Sequence, residues 1–409
     1  MHPSTSRRAV RAAVVVAVSL LTAGLVATGA STDAAVSAPR LRVPAGATLA
    51  IAGHGYGHGH GMSQYGAEGA ARKGLGAGQI VKFYYPHTLA GTFRGKVRVL
   101  ISADTDQNTT VVNQRGLKVH DFRKGSTIAL PKTGKAGKAT RWRLSSQRGR
   151  PARVSYLTGS WHVWRTLKGD GEFRAPHPIR LVLPGGAKAY RGTLQSRTST
   201  RGGSRPHRIT VNRVSMEDYV RAVVPSEAFP SWHQAALRAQ AIAARSYAAY
   251  GVDHPRSNLY QLCDTSSCQV YGGAGAEYAT TDRATAKTAG QIRTFHGHAA
   301  FTQFSSSNGG WTADGGTPYF VAKQDPYDGW SGNPNHSWTT KIPATKVEKA
   351  WPALGHLTSI TIDKRDGHGQ WHGRVLTMTL GGSKRDVQIS GDDFRTALGL
   401  RSTWINITV

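Results

Sequence analysis

The sequence predicts an α+β fold in which a β-rich middle region and a helix-containing catalytic region share one cleft. Three observations carry that expectation. Between Lys96 and Tyr190, short Val/Ile/Leu/Thr runs such as residues 97–101 and 179–183 alternate with clusters of Gly, Lys, Pro and Asp, as strands and turns do. Helix signals concentrate after Arg205, where residues 232–250 are dominated by alanine. Of 409 residues, 39% are hydrophobic and only 18% charged, which excludes disorder as the overall state.

The elements follow in chain order. Arg7, Arg8 and Arg11 precede an apolar run over residues 12–27, and Gly29, Ala30 and Ser31 follow it, the order of a secretory signal. Residues 1–38 are therefore expected to be a signal peptide and linker, the apolar run falling short of the roughly 20 residues of a membrane span. Residues 39–95 carry a glycine-histidine segment, Gly53-His54-Gly55-Tyr56-Gly57-His58-Gly59-His60-Gly61, followed by Met62-Ser63-Gln64-Tyr65. Residues 96–205 form the β-rich region, with basic, Gly/Ser-rich stretches at 132–141 and 193–205 expected as exposed connections. Residues 206–409 hold the helices. Ser215 and Asp218 are spaced as a capping box for a short helix bearing Tyr219, Val220, Val223 and Val224. Ser231 and Gln234 repeat that device for the alanine-rich helix, which Gly251 is expected to end. Further short helices are expected near residues 344–351 and 392–398.

Charge narrows the partners. Lys and Arg total 52 against 23 acids, a net charge of +29, which implies a polyanionic neighbourhood. An export signal turns that expectation from nucleic acid towards anionic wall polymers. No later segment is long and apolar enough to span a bilayer. Cys263 and Cys268 are the only cysteines, spaced to form a small disulfide if the turn between them is tight. A metal site using both thiolates and His254 is the rival, short of the usual four zinc ligands.

Glu227 stands between Pro225 and Pro230, ahead of the alanine-rich helix. The helix N-terminus would favour its anion, whereas burial against Phe229 and Trp232 would favour the neutral acid that a glycosidase-type mechanism needs. A carboxylate with no chemical role at the mouth of a helix fits the same local pattern. On that helix Arg238 and Arg245 lie two turns apart on one face, and Gln240 points to the side shared with Ala236, Ala243, Ala244 and Tyr247. They suit a hydroxyl-rich or anionic ligand, or an ordinary solvated face. The glycine-spaced histidines suggest a loop of bare backbone that a chain-like ligand approaches closely, with His58, Ser63 and Gln64 offering hydrogen bonds. No metal is expected there, since the run has no Cys, Asp or Glu close by before Glu68. The polar stretch containing Ser306 and Asn308, followed by Trp311, suits sugar hydroxyls and stacking.

Together these segments resemble the stage II sporulation protein D and LytB amidase-enhancer family. The likeness is carried by residues 55–67, by 223–227 with Ser231-Trp232, by 236–247, by Cys268-Gln269-Val270-Tyr271, by 305–310 and by Asp325-Pro326. It implies an exported lytic transglycosylase that cleaves the MurNAc–GlcNAc bond of denuded peptidoglycan strands without a cofactor, leaving anhydro-muramyl ends. Glu227 would be its single acid and base, with Arg238, Gln240, Arg245, His58, Ser63, Gln64, Ser306 and Asn308 binding substrate. The alternative implied by the LytB branch is a non-catalytic wall-binding protein that enhances an N-acetylmuramoyl-L-alanine amidase, its partner. In this chain the Gly-His motif precedes the Glu segment, whereas the sporulation protein has it later, so the fold must bring the two together.

Overall fold

A computed structural model describes residues 39–146, 151–200 and 206–409. The expected signal segment, residues 1–38, lies outside the described residues. From Pro39 to Val409 the chain forms one compact unit, with helices and sheets mixed as an α+β fold requires.

Two antiparallel sheets make up most of the middle region. One has seven strands in the order Leu262–Cys263, Lys96–Leu100, His207–Ser215, Thr193–Ser199, Gly171–Arg174, Lys118–Asp121 and Ser126–Ala129, with only the first pair parallel. The other has six, in the order Ser160–Thr166, Arg153–Thr158, Arg141–Ser145, Thr109–Val112, Ile179–Leu183 and Gly186–Tyr190. Alternation predicts such strands well: Val97 and Val99 are buried while Lys96 is exposed and Arg98 half-buried. Val97, Val99, Trp142, Leu144, Phe173, Leu181 and Leu194 from both sheets share one core.

The expectation for residues 193–205 is corrected by the strand Thr193–Ser199, which lies in the middle of the seven-stranded sheet. Its polar residues are inside because buried Glu172 accepts hydrogen bonds from Thr193 Oγ1 and Gln195 Nε2, both at 2.9 Å. Within the other expected connection, Gly134–Gly137 forms a single helical turn.

Helices α1 (Gln64–Arg72) and α2 (Ala77–Tyr84) follow the Gly-His segment. Counting the turn at Gly134–Gly137 as α3, the later helices are α4 (Met216–Glu227), α5 (Gln234–Asp253), α6 (Ala279–Lys287), α7 (Ala344–Ala350) and α8 (Gly391–Leu398). Small side chains let α5 pack on two sides at once. Ala236, Ala239 and Ala243 meet α1 and α2, while Leu237, Ala241, Ala244 and Ala248 join the β core. Among the described residues no helix is long and apolar enough to cross a membrane.

The start of α5 differs from the sequence expectation. The Ser231–Gln234 box does not form; His233 is the N-cap residue, without a side-chain cap bond. Glu68 of α1, fully buried, takes over: its Oε2 accepts the His233 N–H at 2.8 Å and its Oε1 pairs with His233 Nδ1 at 2.8 Å. An anion at the positive end of α5 is thus supplied by another helix. Gly251 does not stop α5, which continues to Asp253. Glu68→Ala empties this buried position and uncaps α5, and a loss of about 3 kcal/mol in urea denaturation is expected.

A third core lies under the N- and C-terminal strands. The strand Thr48–His54 sits between Ser337–Pro343 and Ile405–Thr408, and Leu49 and Ile51 pack with Ile342, Phe394 and Ile407. The chain leaving His54 therefore starts the Gly-His loop from a fixed strand end.

Candidate active site

The Gly-His loop folds against its own protein. Gly55, Gly57, Gly59 and Gly61 all adopt positive φ, from +63° to +113°, which explains why glycine alternates with histidine. A Cβ on Gly55 would meet the backbone of Ser307, and one on Gly59 the guanidinium of Arg374. The expected open backbone for a ligand is thus corrected: at these two positions the missing side chain admits internal neighbours. Arg374, which precedes the distant strand Val375–Gly382, fills that place and donates to Asn308 O at 2.9 Å.

A buried acidic pair holds this loop and residues 305–310 together. Met62–Ser63 pairs in parallel with Phe304–Ser305. Asp328 accepts from Ser63 Oγ at 2.5 Å, from Ser307 Oγ at 2.8 Å, and from His336 Nδ1 at 2.9 Å. Asp325 accepts from Tyr84 OH at 2.8 Å and Asn308 Nδ2 at 2.7 Å; burial, then the neighbouring Asp328, raises its carboxyl to about 6. The Asp328 bond raises His336.

This scaffold delivers Gln64, the first residue of α1, to Glu227. Ser63 caps α1 by accepting the Gly66 N–H at 2.9 Å, and Gln64 Nε2 reaches Glu227 Oε2 at 3.4 Å. Glu227 Oε1 accepts the backbone N–H of Val270 at 2.6 Å. Burial raises the Glu227 carboxyl above its ordinary range, and the bonds from Val270 and Gln64 partly oppose that rise. Glu227 closes α4 rather than standing free before α5, so it lies at the negative end of a helix dipole. The expected pull of the α5 N-terminus on it is corrected, since Glu68 occupies that place.

An aromatic cluster is built from residues that neighbour Glu227 and Gln64 in the chain, together with Trp330. Phe229, 56% exposed, lies edge-on to Trp232 at 5.3 Å and to Tyr65 at 6.2 Å between ring centres. Tyr65 in turn meets Trp232 at 5.1 Å and Trp330 at 6.1 Å. The exposed Phe229 ring, two residues from Glu227 in the chain, suits the apolar face of a sugar.

The remaining expected site residues are placed as follows. His58 lines an open cavity of about 540 Å³ with His60, Asp314, Arg374 and Asp392, and neither Glu227 nor Gln64 lines it. Its Nδ1 accepts the His60 N–H at 2.9 Å, and burial, then His60, pushes it down to about 3, so it stays neutral at ordinary pH. Ser63 and Asn308 are fully buried in the Asp325/Asp328 network, and Ser306 O accepts the Tyr65 N–H at 3.0 Å. Arg245 is also fully buried, its guanidinium bound to Glu217 at 3.0 and 2.8 Å and to the carbonyls of Ala241, Gln291 and Thr285. The expectation that it holds substrate is corrected to that of a brace between α4, α5 and the following strand. Gln240 is buried on α5 with neither amide atom bonded, and Arg238 is half-buried with Nε unbonded. Cys263 and Cys268 form the disulfide, with Cα atoms 5.5 Å apart. Among the described residues no group of three or more His, Cys, Asp or Glu is arranged to hold a metal ion. Glu68, Asp328, Arg374 and the Val270 N–H were not singled out by sequence as parts of this site, although Val270 and Asp325 fall within the segments that carry the family likeness.

Fold and site define an α+β protein in which burial raises the carboxyl group of Glu227 above its ordinary range. Residues 205–295, which carry Glu227, α5 and the disulfide loop, match the family model SpoIID, Stage II sporulation protein. Over those residues the chain is similar to the stage II sporulation protein D family, and the relatives it matches include proteins named Stage II sporulation protein D and Amidase enhancer. It is 28% identical over 224 residues to Stage II sporulation protein D of Bacillus subtilis, covering 47% of this chain and 60% of that one. The Amidase enhancer of Bacillus subtilis is 32% identical over 137 residues, 32% of this chain and 17% of that one. An uncharacterised protein of Brachyspira hyodysenteriae is 36% identical over 115 residues, 28% of this chain and 31% of that one. The chain therefore spans less than two thirds of the length of each of these relatives.

Proposed function

We propose that this protein is an exported, cell-wall-associated lytic transglycosylase acting on peptidoglycan glycan strands, with Glu227 as its acid and base. The observation that carries the reading is the environment of that carboxyl group. Oε1 accepts a short backbone hydrogen bond, whereas the contact of Oε2 to Gln64 is long, so the proton of the neutral acid resides on Oε2. From there it passes to the glycosidic oxygen between muramic acid and glucosamine as the C1–O bond breaks. The muramyl C6 hydroxyl closes on C1 and its proton returns to the Glu227 carboxylate, which regenerates the acid without consuming water. A second carboxylate to activate water, as in a glycosidase pair, is not required. No charged side chain contributes to the shift of Glu227, consistent with a group acting alone.

Purified protein given glycan strands without stem peptides should release fragments ending in 1,6-anhydro-muramyl residues, seen by mass spectrometry. Reducing muramyl ends, or no cleavage, would remove the assignment.

The relative named Amidase enhancer and the charge of +29 favour a second reading, a wall-bound partner of an amidase. In that case Glu227→Gln would leave both wall binding and amidase stimulation unchanged.

A further inference from the structure

We propose that the loop closed by the Cys263–Cys268 disulfide is a positioning element for Glu227, acting through the backbone N–H of Val270. The inference rests on reading Glu227 as the acid, and it adds a second-tier group, remote in sequence, that fixes which oxygen of that acid is free.

Val270 is held from both sides while its own side chain is 37% exposed. On one side Gln269 is buried, accepting Tyr219 OH of α4 at 3.0 Å and donating to Ala244 O of α5 at 3.4 Å. On the other, Tyr271 OH donates to Asn212 at 2.7 Å and Tyr271 N–H to Asp264 O at 3.2 Å. The loop starts from Leu262–Cys263, paired in parallel with Val99 and Leu100. Between these anchors residues 264–267 are Asp-Thr-Ser-Ser, polar and without a core of their own. What closes them is the disulfide, together with Ser102 N–H and Oγ to Asp264 Oδ1 at 3.0 and 2.6 Å, the Cys268 N–H to Thr265 O at 2.9 Å and Arg256 Nη2 to Ser267 O at 2.6 Å. The covalent link fixes Cys268 two residues before the N–H that meets Glu227.

The direction of the effect follows from the donor. An N–H aimed at a carboxylate oxygen stabilises the anion, so the Val270 bond restrains the rise that burial imposes. Among the groups facing Glu227 only Gln64 adds to this restraint, and less than Val270 does. Tyr219 of α4 and Tyr247 of α5 are themselves raised, chiefly by burial, and stay neutral, and Arg256 faces Tyr247. Gln64 of α1 offers only the long contact.

The test is a carboxyl titration rather than an activity. The chain has six glutamates, so protein labelled with carbon-13 at the glutamate carboxyl gives a small set of signals, Glu227 being identified by its loss in Glu227→Gln. Spectra are followed against pH for the native protein, for the same sample reduced with dithiothreitol and reoxidised, and for Cys263→Ser/Cys268→Ser. Opening the disulfide should move the Glu227 midpoint upward by about one unit, restored by reoxidation, with the other glutamates unmoved. A Glu227 midpoint that stays within about 0.2 unit, or a collective shift of all six, overturns the proposal. If the double variant does not fold, the reduced native chain supplies the comparison. Because no substrate is used, absence of anhydro products with the expected titration would refute the enzymatic reading and leave this positioning role intact.

Discussion

Glu227→Gln should lower the rate of anhydro-muramyl product formation by about 10³-fold or more, because the proposed mechanism makes one group both acid and base. That loss corresponds to about 4 kcal/mol of barrier. Glutamine has the shape to keep accepting the Val270 N–H through its carbonyl oxygen, so position is retained while the transferable proton is lost. Stability should move the other way. The folded protein holds Glu227 at a raised pKa, so ionising it at higher pH works against folding, and that cost is absent once the group is protonated. The variant should thus melt at or above the native temperature at pH 8, and the difference should shrink as pH falls through the raised value and vanish below the ordinary carboxyl range of the unfolded chain. A measured collapse of both activity and melting temperature would instead identify Glu227 as a structural carboxylate. The native pH–rate profile carries the same sign: activity is lost as pH rises through the raised pKa, because the neutral acid is consumed.

What the sequence revealed follows from which interactions leave a local trace. Lys96–Leu100 was legible because its side chains alternate between core and surface, and α5 because alanine is frequent where helices pack closely. Thr193–Ser199 was not, because its buried polar side chains are satisfied by Glu172, more than twenty residues away. α1 was missed for a related reason. It contains Gly66 and Gly69, which weaken a helix reading, and they are present because the Tyr84 hydroxyl and the backbone of Tyr327 occupy the space of a Cβ. At the site, Glu227 was legible from its prolines and aromatic neighbours, and Gln64 from the motif that carries the family likeness. The Val270 N–H was not, since every residue but proline has such a donor and only the fold aims it. Arg245 was misread because seven-residue spacing reports a shared helix face but not what covers that face; Glu217 and three carbonyls do.

Asp328→Ala should be the most destabilising single change at this site, by about 3–5 kcal/mol. The carboxylate is fully buried and accepts from Ser63, Ser307, Asn308 N, Gly309 N, Asn333 and His336, so its removal strands donors from three separate segments. Asp328→Asn keeps the volume but presents an NH₂ group to some of the same donors, and should recover only part of the loss. The pH dependence separates this from simple cavity formation. His336 is raised by its bond to Asp328, so the stability it contributes is fully present below its unfolded pKa and declines as pH rises through the folded value. Denaturant titrations of the native protein should record that decline as pH rises above the ordinary histidine range, and Asp328→Ala should abolish it. Function is coupled through one residue: Ser63, which donates to Asp328, is the N-cap of α1, and Gln64 beside it is the side chain that meets Glu227. Asp328→Ala should therefore depress product formation even at temperatures where the chain remains folded, while Gln64→Ala should reproduce the activity defect with little change in stability. Equal melting temperatures for native protein and Asp328→Ala would show that the donors find other partners, and that this buried carboxylate does not hold the Gly-His loop in place.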